Sequence, residues 1–486
     1  MPEDNLKTSV LSSLFWKSLE QGGVSGVQLI VQIVLARLLL PEDYGVIALI
    51  VVFIAISGTF IQSGLGTALI QKKKVTDADY SSVFYLTLAL ALVFYCILFL
   101  GAPTIATFYN QPLITPVLRV LGLTLFFGAV NTIQNAVIAR NFLFRKLFVS
   151  SLGAVLLSGV VGIVMAYAGY GVWALVGQQL TSIGTLSIIM WFTVKWRPKF
   201  LFSVTRIKEL FSFGWKLLAS GLLDVTYTNL NSLIIGKLYP ASMLGYYTKG
   251  NEFPNILVSN IDNSIQAVMF PAYAKNQDNR PMVKQIMRRA LVTSAFLVFP
   301  AMAGLAAVAE SLIELLLTEK WLIAVPFLQI FCAAYALWPI HTANLQAINA
   351  LGRSDVFLKL EIIKKIVGVS ILAVTVPIGI YAMAIGSVVG GVVSTFINAY
   401  PNKLLLNYSF TEQWSDLMPA LILSLIMFGV AFSVLFLGLS ALTTLVLQIA
   451  VGVVVYVGLA WVLGLESLTY VIDTVRDYLP RKKGAW

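Results

Sequence analysis

The chain has 486 residues, 58% of them hydrophobic and only 11% charged. A soluble domain averages roughly 25% charged residues, so a water-soluble fold of this length lacks the polar surface to cover its core. The net charge of +11 does not point to nucleic acid, because the basic residues sit in short loops between apolar segments.

A membrane span needs ~20 mainly apolar residues. Candidates in chain order are residues 15–39, 44–70, 82–101, 114–139, 147–168, 172–194, 209–236, 245–271, 287–309, 323–350, 357–377, 381–405, 417–437 and 442–464, fourteen in all. Backbone polar groups in lipid must be satisfied within the segment, so the spans are expected to be helices. The opening MPEDNLKTS lacks the basic start and short apolar core of a cleaved signal peptide, so the first span is expected to be permanent.

The loops test this count independently, because cytoplasmic loops carry the Lys/Arg excess. With the N-terminus inside and spans alternating, 28 of the 33 Lys+Arg fall inside. Among them are Lys72–Lys74, the run from Lys195 to Lys208 and the tail residues Arg476, Arg481, Lys482 and Lys483. Only Arg37, Arg119, Lys237, Lys249 and Lys320 fall toward the outside. An even count with both termini cytoplasmic follows. No loop offers the room that a catalytic domain needs.

The two halves resemble each other. Ser13, Trp16, Lys17, Leu19, Gly22 and Pro41 recur as Ser212, Trp215, Lys216, Leu218, Gly221 and Pro240, all at an offset of 199. GYGVWAL from Gly169 resembles GIYAMAI from Gly379 at an offset of 210. The expected organisation is a six-helix lobe over 1–194, an interfacial linker over 195–208 and a second six-helix lobe over 209–405. Two further helices and a basic tail occupy 406–486. Parallel repeats of this kind are a transporter feature.

Polar residues inside spans are costly and tend to mark a pathway. Lys17, Gln21, Ser25, Gln28 and Gln32 are spaced by 4, 4, 3 and 4 on the first span, so they share one helical face. Lys216, Ser220, Asp224, Tyr227 and Asn231 repeat that face on the seventh span. On the eighth, Asn255, Ser259, Asp262 and Gln266 form another. We expect these faces to line a polar cavity, although binding of neighbouring helices would use the same residue types. Arg119 and Lys249 are the deeper outward cations, placed to meet a travelling anionic group. Glu20, Asp224 and Asp262 are the membrane-embedded acids. They are candidates to bind H⁺ or Na⁺, Asp224 ahead of the other two, an ion pair of Glu20 with Lys17 or Lys216 being the simpler alternative. Gly22 and Gly26, four residues apart, suggest a close-packing face. His341, the single histidine, reads as structural. Cys96 and Cys332 lie in apolar stretches and offer no disulfide framework. No phosphate loop, zinc-protease helix, nucleophile elbow or potassium filter occurs, and no cofactor is expected.

VLARLLLPEDYGVIAL from Val34, followed by QSGLGTALIQKK from Gln62, resembles the opening of the polysaccharide-transporter family. That family includes the Wzx-type flippases and the colanic-acid and teichuronic-acid exporters, within the multidrug/oligosaccharidyl-lipid/polysaccharide exporter superfamily. The resemblance implies an all-α membrane protein in which two six-helix bundles face a cavity lined mainly by helices 1, 2, 7 and 8. It implies alternating access in the bacterial inner membrane, with cation coupling typical of the superfamily. The implied substrate is an undecaprenyl-pyrophosphate-linked sugar repeat, and polymerase and chain-length machinery are possible partners. The rival readings are a lipid II or multidrug exporter of the same superfamily, a membrane polymerase or ligase, and a scaffold subunit of a synthesis complex. The pattern departs from a deep arginine cluster, since Lys17 and Lys216 are the only cations on the stripes.

Overall fold

The computed structural model describes residues 3–62 and 64–469. The tail cations Arg476, Arg481, Lys482 and Lys483 lie outside the described residues. Among the described residues every regular element is a helix.

The chain divides into two compact units, 1–245 and 246–486. The first holds α1 (Glu3–Leu38), α2 (Pro41–Gln62), α3 (Leu65–Gln71), α4 (Asp77–Tyr109), α5 (Ile114–Leu121), α6 (Thr124–Arg140), α7 (Phe144–Tyr167), α8 (Val172–Thr193) and α9 (Val204–Leu238). It also takes the first turn of α10 (Ala241–Lys275). The second holds the rest of α10, then α11 (Arg280–Ala307), α12 (Ala309–Leu317), a 3₁₀ turn (Glu319–Ala324), α13 (Val325–Ala336) and α14 (Trp338–Ala350). It continues with α15 (Ser354–Thr375), α16 (Ile380–Leu406), α17 (Phe410–Ser433), a 3₁₀ turn (Val434–Leu437) and α18 (Ala441–Val462).

Eleven segments among the described residues are helices long and apolar enough to cross a membrane. The other three expected spans coincide with α9, α10 and α15, which have 35, 35 and 22 residues. Length therefore does not set them apart; polarity does. The middle of α9 carries Asp224, Asn229 and Asn231; α10 carries Lys249, Glu252 and Asp262; α15 carries Lys359, Glu361, Lys364 and Lys365. A membrane helix this polar is stabilised by protein or water along one side rather than by lipid.

Helices in lipid gain little from burying apolar surface against one another, so close backbone approach and polar contacts hold them. In the first unit α1 packs on α7 and α7 on α8. An added Cβ on Gly159 of α7 would meet Val31 at 2.6 Å. The outer-surface residues Leu100, Phe192 and Tyr167 are apolar and exposed, as a lipid-facing surface requires. In the second unit α11 packs along α17, and the buried Tyr456 of α18 donates its hydroxyl to the Phe296 carbonyl at 2.8 Å. A buried amide cluster joins α14, α16 and α17. Asn344 donates to Gln413 Oε1 at 2.9 Å, and Asn402 donates to Asn344 Oδ1 at 2.8 Å.

Two expectations need correction. Gly22 and Gly26 do not form a close-packing face; both are exposed, and an added Cβ would meet nothing within 4 Å at either. Helix α1 uses another face against α7. The second repeat match also shifts. Gly171 caps the start of α8 at φ 53 and Gly379 caps the start of α16 at φ 144. Aligning these caps pairs GVWAL with GIYAM and changes the offset to 208. Each of these glycines stands immediately before its helix, so the caps mark the structural register.

Candidate functional site

The polar stripe of α1 is turned away from α7 at its first half. Lys17 and Gln21 are exposed, whereas Gln28 and Gln32 are half-buried. Lys17 Nζ donates to Glu20 Oε2 at 2.6 Å, and Ser151 of α7 donates to the other Glu20 oxygen at 3.4 Å. Glu20 is thus held in a local ion pair.

The stripe of α9 behaves in the same way. Lys216, Ser220 and Asp224 are exposed, and Tyr227 and Asn231 are half-buried. Helix α9 packs on α2, α3 and α4 along its other side. Both stripes belong to the first unit. A carboxylate and two ammonium groups on exposed faces of membrane-length helices favour water over hydrocarbon by several kcal/mol, about 2.5–3.5 for each charge near a bilayer centre.

Arg119 and Lys249 are not presented in the same way. Arg119 of α5 donates through Nε to the Phe99 carbonyl at 3.1 Å and stacks on the Phe99 ring at 4.3 Å. Lys249 is buried at 3% exposure, its ammonium 2.6 Å from Glu252 Oε2 on the next turn of α10. Each is engaged by its own unit.

The stripe of α10 runs from the exposed Asn255 to the buried Asp262. Three neutral donors converge on Asp262 Oδ2: Gln266 Nε2 at 2.7 Å, Trp338 Nε1 at 3.2 Å and Thr342 Oγ1 at 3.4 Å. Gln346 Nε2 in turn donates to Gln266 Oε1 at 2.5 Å. No cation pairs with Asp262 among the described residues. Beside it lies a cavity of about 20 Å³, lined also by Ser294, Met269 and Tyr273. That is room for a water molecule or a small monovalent cation.

Trp338, Thr342 and Gln346 of α14 were not singled out from the sequence. Their spacing of 4 and 4 is the same signal that exposed the stripes on α1 and α9. His341 of the same helix meets Asn398, Nδ1 to Nδ2 at 3.2 Å.

The family described as "Polysaccharide biosynthesis protein" matches residues 34–326, more than half of the chain. The chain belongs to this family. Among curated relatives, it is 25% identical to the teichuronic acid biosynthesis protein TuaB of Bacillus subtilis over 82% of this chain and 83% of that protein. It is 24% identical to the lipopolysaccharide biosynthesis protein WzxC of Escherichia coli, over 81% of this chain and 80% of that one. It is 25% identical to the succinoglycan biosynthesis transport protein ExoT of Rhizobium meliloti, over 73% and 72% respectively. The fold is shared with the lipid II flippase MurJ in an inward closed conformation, at a TM-score of 0.75 and 14% identity over 96% of this chain and all of that one. It is shared also with an inward-facing MATE-family multidrug transporter, at a TM-score of 0.61 and 15% identity over 78% and 94%.

Proposed function

We propose that this member of the polysaccharide biosynthesis family is a flippase. It carries a lipid-linked oligosaccharide from the inner to the outer leaflet of the bacterial inner membrane for assembly of an exported polysaccharide. The observation that carries this reading is the pair of exposed polar faces on α1 and α9, set in a multi-pass membrane fold. The names of TuaB, WzxC and ExoT support the substrate class.

Flipping makes and breaks no bond. The barrier is the desolvation of a charged, hydroxyl-rich head in hydrocarbon, several kcal/mol for each unpaired polar group. Lys17, Gln21, Gln28, Gln32, Lys216, Tyr227, Asn231 and Asn255 replace that water with side-chain hydrogen bonds, while the lipid tail stays in the bilayer. Lys17 and Lys216 meet the anionic head near the cytoplasmic side, where both termini lie. Arg119 and Lys249 serve a later stage only if they leave their present partners. Alternating access completes the transfer, and the chain is not an enzyme. Polysaccharide polymerase and chain-length machinery would use the product outside.

Coupling to H⁺ or Na⁺ is assigned to Asp262 ahead of Asp224 and Glu20. Asp262 is buried, is served by neutral donors alone and adjoins an ion-sized cavity. Glu20 is neutralised by Lys17, and Asp224 is exposed.

The likeness in fold to MurJ favours lipid II as the second substrate reading, and one experiment separates the two. The gene is deleted and sugar heads on the outer leaflet of spheroplasts are labelled. Viable cells whose lipid-linked repeats stay unlabelled until the membrane is opened support the present reading. Lethality with trapped lipid II supports the second. Viable cells with no other flippase in which complete repeats and lipid II are both labelled normally refute both.

A further inference from the structure

Helix α9 is tied to the first unit at both ends. At its far end, Lys237 Nζ donates to the Phe108 carbonyl of α4 at 2.5 Å and lies 4.2 Å over the Phe108 ring. At its near end the ties converge on the opposite end of α4. The linker backbone is strapped there first: Lys199 N donates to Ser81 Oγ at 3.0 Å and Ser203 N to Ser82 Oγ at 2.9 Å. Both serines are fully buried.

The centre of this end is Asp79, whose side chain has no exposure. One oxygen, Oδ2, accepts from the backbone N–H and the hydroxyl of Thr76, each at 2.8 Å, and so builds the cap of α4. The other, Oδ1, accepts from Lys72 Nζ at 3.1 Å and from Arg206 Nη1 at 3.1 Å. Arg206 is in the first turn of α9 and also donates to Thr76 Oγ1 at 2.6 Å. Glu209, one turn on, accepts from Lys72 at 3.0 Å. Lys72 itself follows the last turn of α3, which Arg140 of α6 holds by donating to the Leu69, Ile70 and Lys72 carbonyls at 2.8, 2.9 and 2.6 Å. The hydrogen bond to Glu209, then the one to Asp79, raises the Lys72 ammonium above the ordinary lysine range.

We propose that Asp79 is a positioning residue for transport: it fixes the near end of α9 against α3 and α4, and so places the stripe of Lys216, Asp224, Tyr227 and Asn231. The reason lies in the composition of α9. A helix with so polar a middle is held weakly by lipid, so beyond its packing on α2, α3 and α4 its position depends on discrete polar ties at its ends. A single buried carboxylate joining a cation at the end of α3 to one in the first turn of α9 is the tie with the most to lose, since removing it leaves Lys72 only Glu209 and Arg206 only the Thr76 hydroxyl. This inference rests on the flippase reading for its consequence but not for its geometry.

The test uses the full chain in nanodiscs with four variants: Asp79→Asn, Arg206→Gln, both together, and Arg206→Lys. Asparagine keeps an acceptor for the α4 cap, so the fold is expected to survive. Two quantities are read, amide hydrogen exchange over residues 204–211 and the rate of flipping of a lipid-linked oligosaccharide in vesicles. Asp79→Asn and Arg206→Gln should each speed exchange there on the order of tenfold, as loss of a charge-assisted bond implies. The effect of the double variant should fall clearly short of the sum of the two single effects, because both substitutions break the same Asp79–Arg206 pairing. Arg206→Lys should stay near wild type, and flipping should slow in step with exchange. Unchanged exchange, or additive effects in the double variant, overturns the tie. Faster exchange with wild-type flipping overturns the positioning role. The exchange arm needs no substrate, so a wild-type chain that flips nothing refutes the flippase reading separately.

Discussion

Replacing Asp262 with Asn is the perturbation that bears most closely on coupling. The change is nearly isosteric, and an amide oxygen can still accept from Gln266, Trp338 or Thr342, which lie 2.7, 3.2 and 3.4 Å from the native Oδ2. What is lost is the charge. A monovalent cation ~3 Å from a carboxylate gains roughly 5 kcal/mol at an effective dielectric constant of about 20. If the amide dipole retains about half of this, the site loses about 2.7 kcal/mol, or ~100-fold in affinity. By linkage, an ion at ~100 times its dissociation constant stabilises the wild type by about 2.7 kcal/mol, and the variant by only about 0.4 kcal/mol at the same concentration. The assay is thermal unfolding of purified protein, titrated with Na⁺ at fixed pH and with H⁺ at fixed Na⁺. The coupling ion should raise the wild-type midpoint, and Asp262→Asn should remove nearly all of that rise while leaving the ion-free midpoint close to wild type. A variant that keeps the full ion-dependent rise would refute the assignment of Asp262.

Three further outcomes follow from packing and hydrogen bonding. Asn344→Leu removes the hub of the buried amide cluster and takes away the side-chain partner of Gln413 and Asn402, leaving them the Tyr408 and Asn344 carbonyls at 3.4 and 3.2 Å. It should cost about 2–5 kcal/mol, read as a lowered unfolding midpoint in detergent. Tyr456→Phe deletes one buried hydrogen bond to the Phe296 carbonyl and should cost only about 1 kcal/mol by the same measurement. Gly45→Ala should be poorly tolerated, because its Cβ would overlap the Ala241 carbonyl. Gly22→Ala and Gly26→Ala should be neutral or slightly stabilising, since both positions are open and alanine favours the helix. Expression of monodisperse protein from the three variants checks this contrast.

Periodicity made the polar faces of α1 and α9 legible, because spacings of 4, 4, 3 and 4 fix a helical face whatever surrounds it. It does not tell which face meets a neighbour, and so Gly22 and Gly26 read as packing positions although both are open. The acids show the same limit. Glu20, Asp224 and Asp262 look alike in sequence, yet one is ion-paired, one is exposed and one is buried among neutral donors. That difference arises from α7 and α14, 131 and about 80 residues away along the chain. The Trp338, Thr342 and Gln346 row carried a readable signal. The tie at Asp79 did not, because Lys72, Asp79, Arg206 and Glu209 look like ordinary loop charges until the fold joins them. The polarity of α9 and α10 was visible as stripes, and the structure adds that it leaves both helices dependent on contacts other than lipid.

The most direct test of the central claim is flipping by the purified chain. It is reconstituted into vesicles containing a lipid-linked oligosaccharide, and a sugar-specific reagent that cannot cross the bilayer is added outside. The account predicts that the fraction of sugar reached rises from about half, the outer-leaflet share, toward all of it, and that empty vesicles stay at about half. The double variant Lys17→Gln with Lys216→Gln should slow this rise. A reconstituted wild-type chain that leaves the inner-leaflet sugar out of reach, under either a proton or a sodium gradient, would contradict the account.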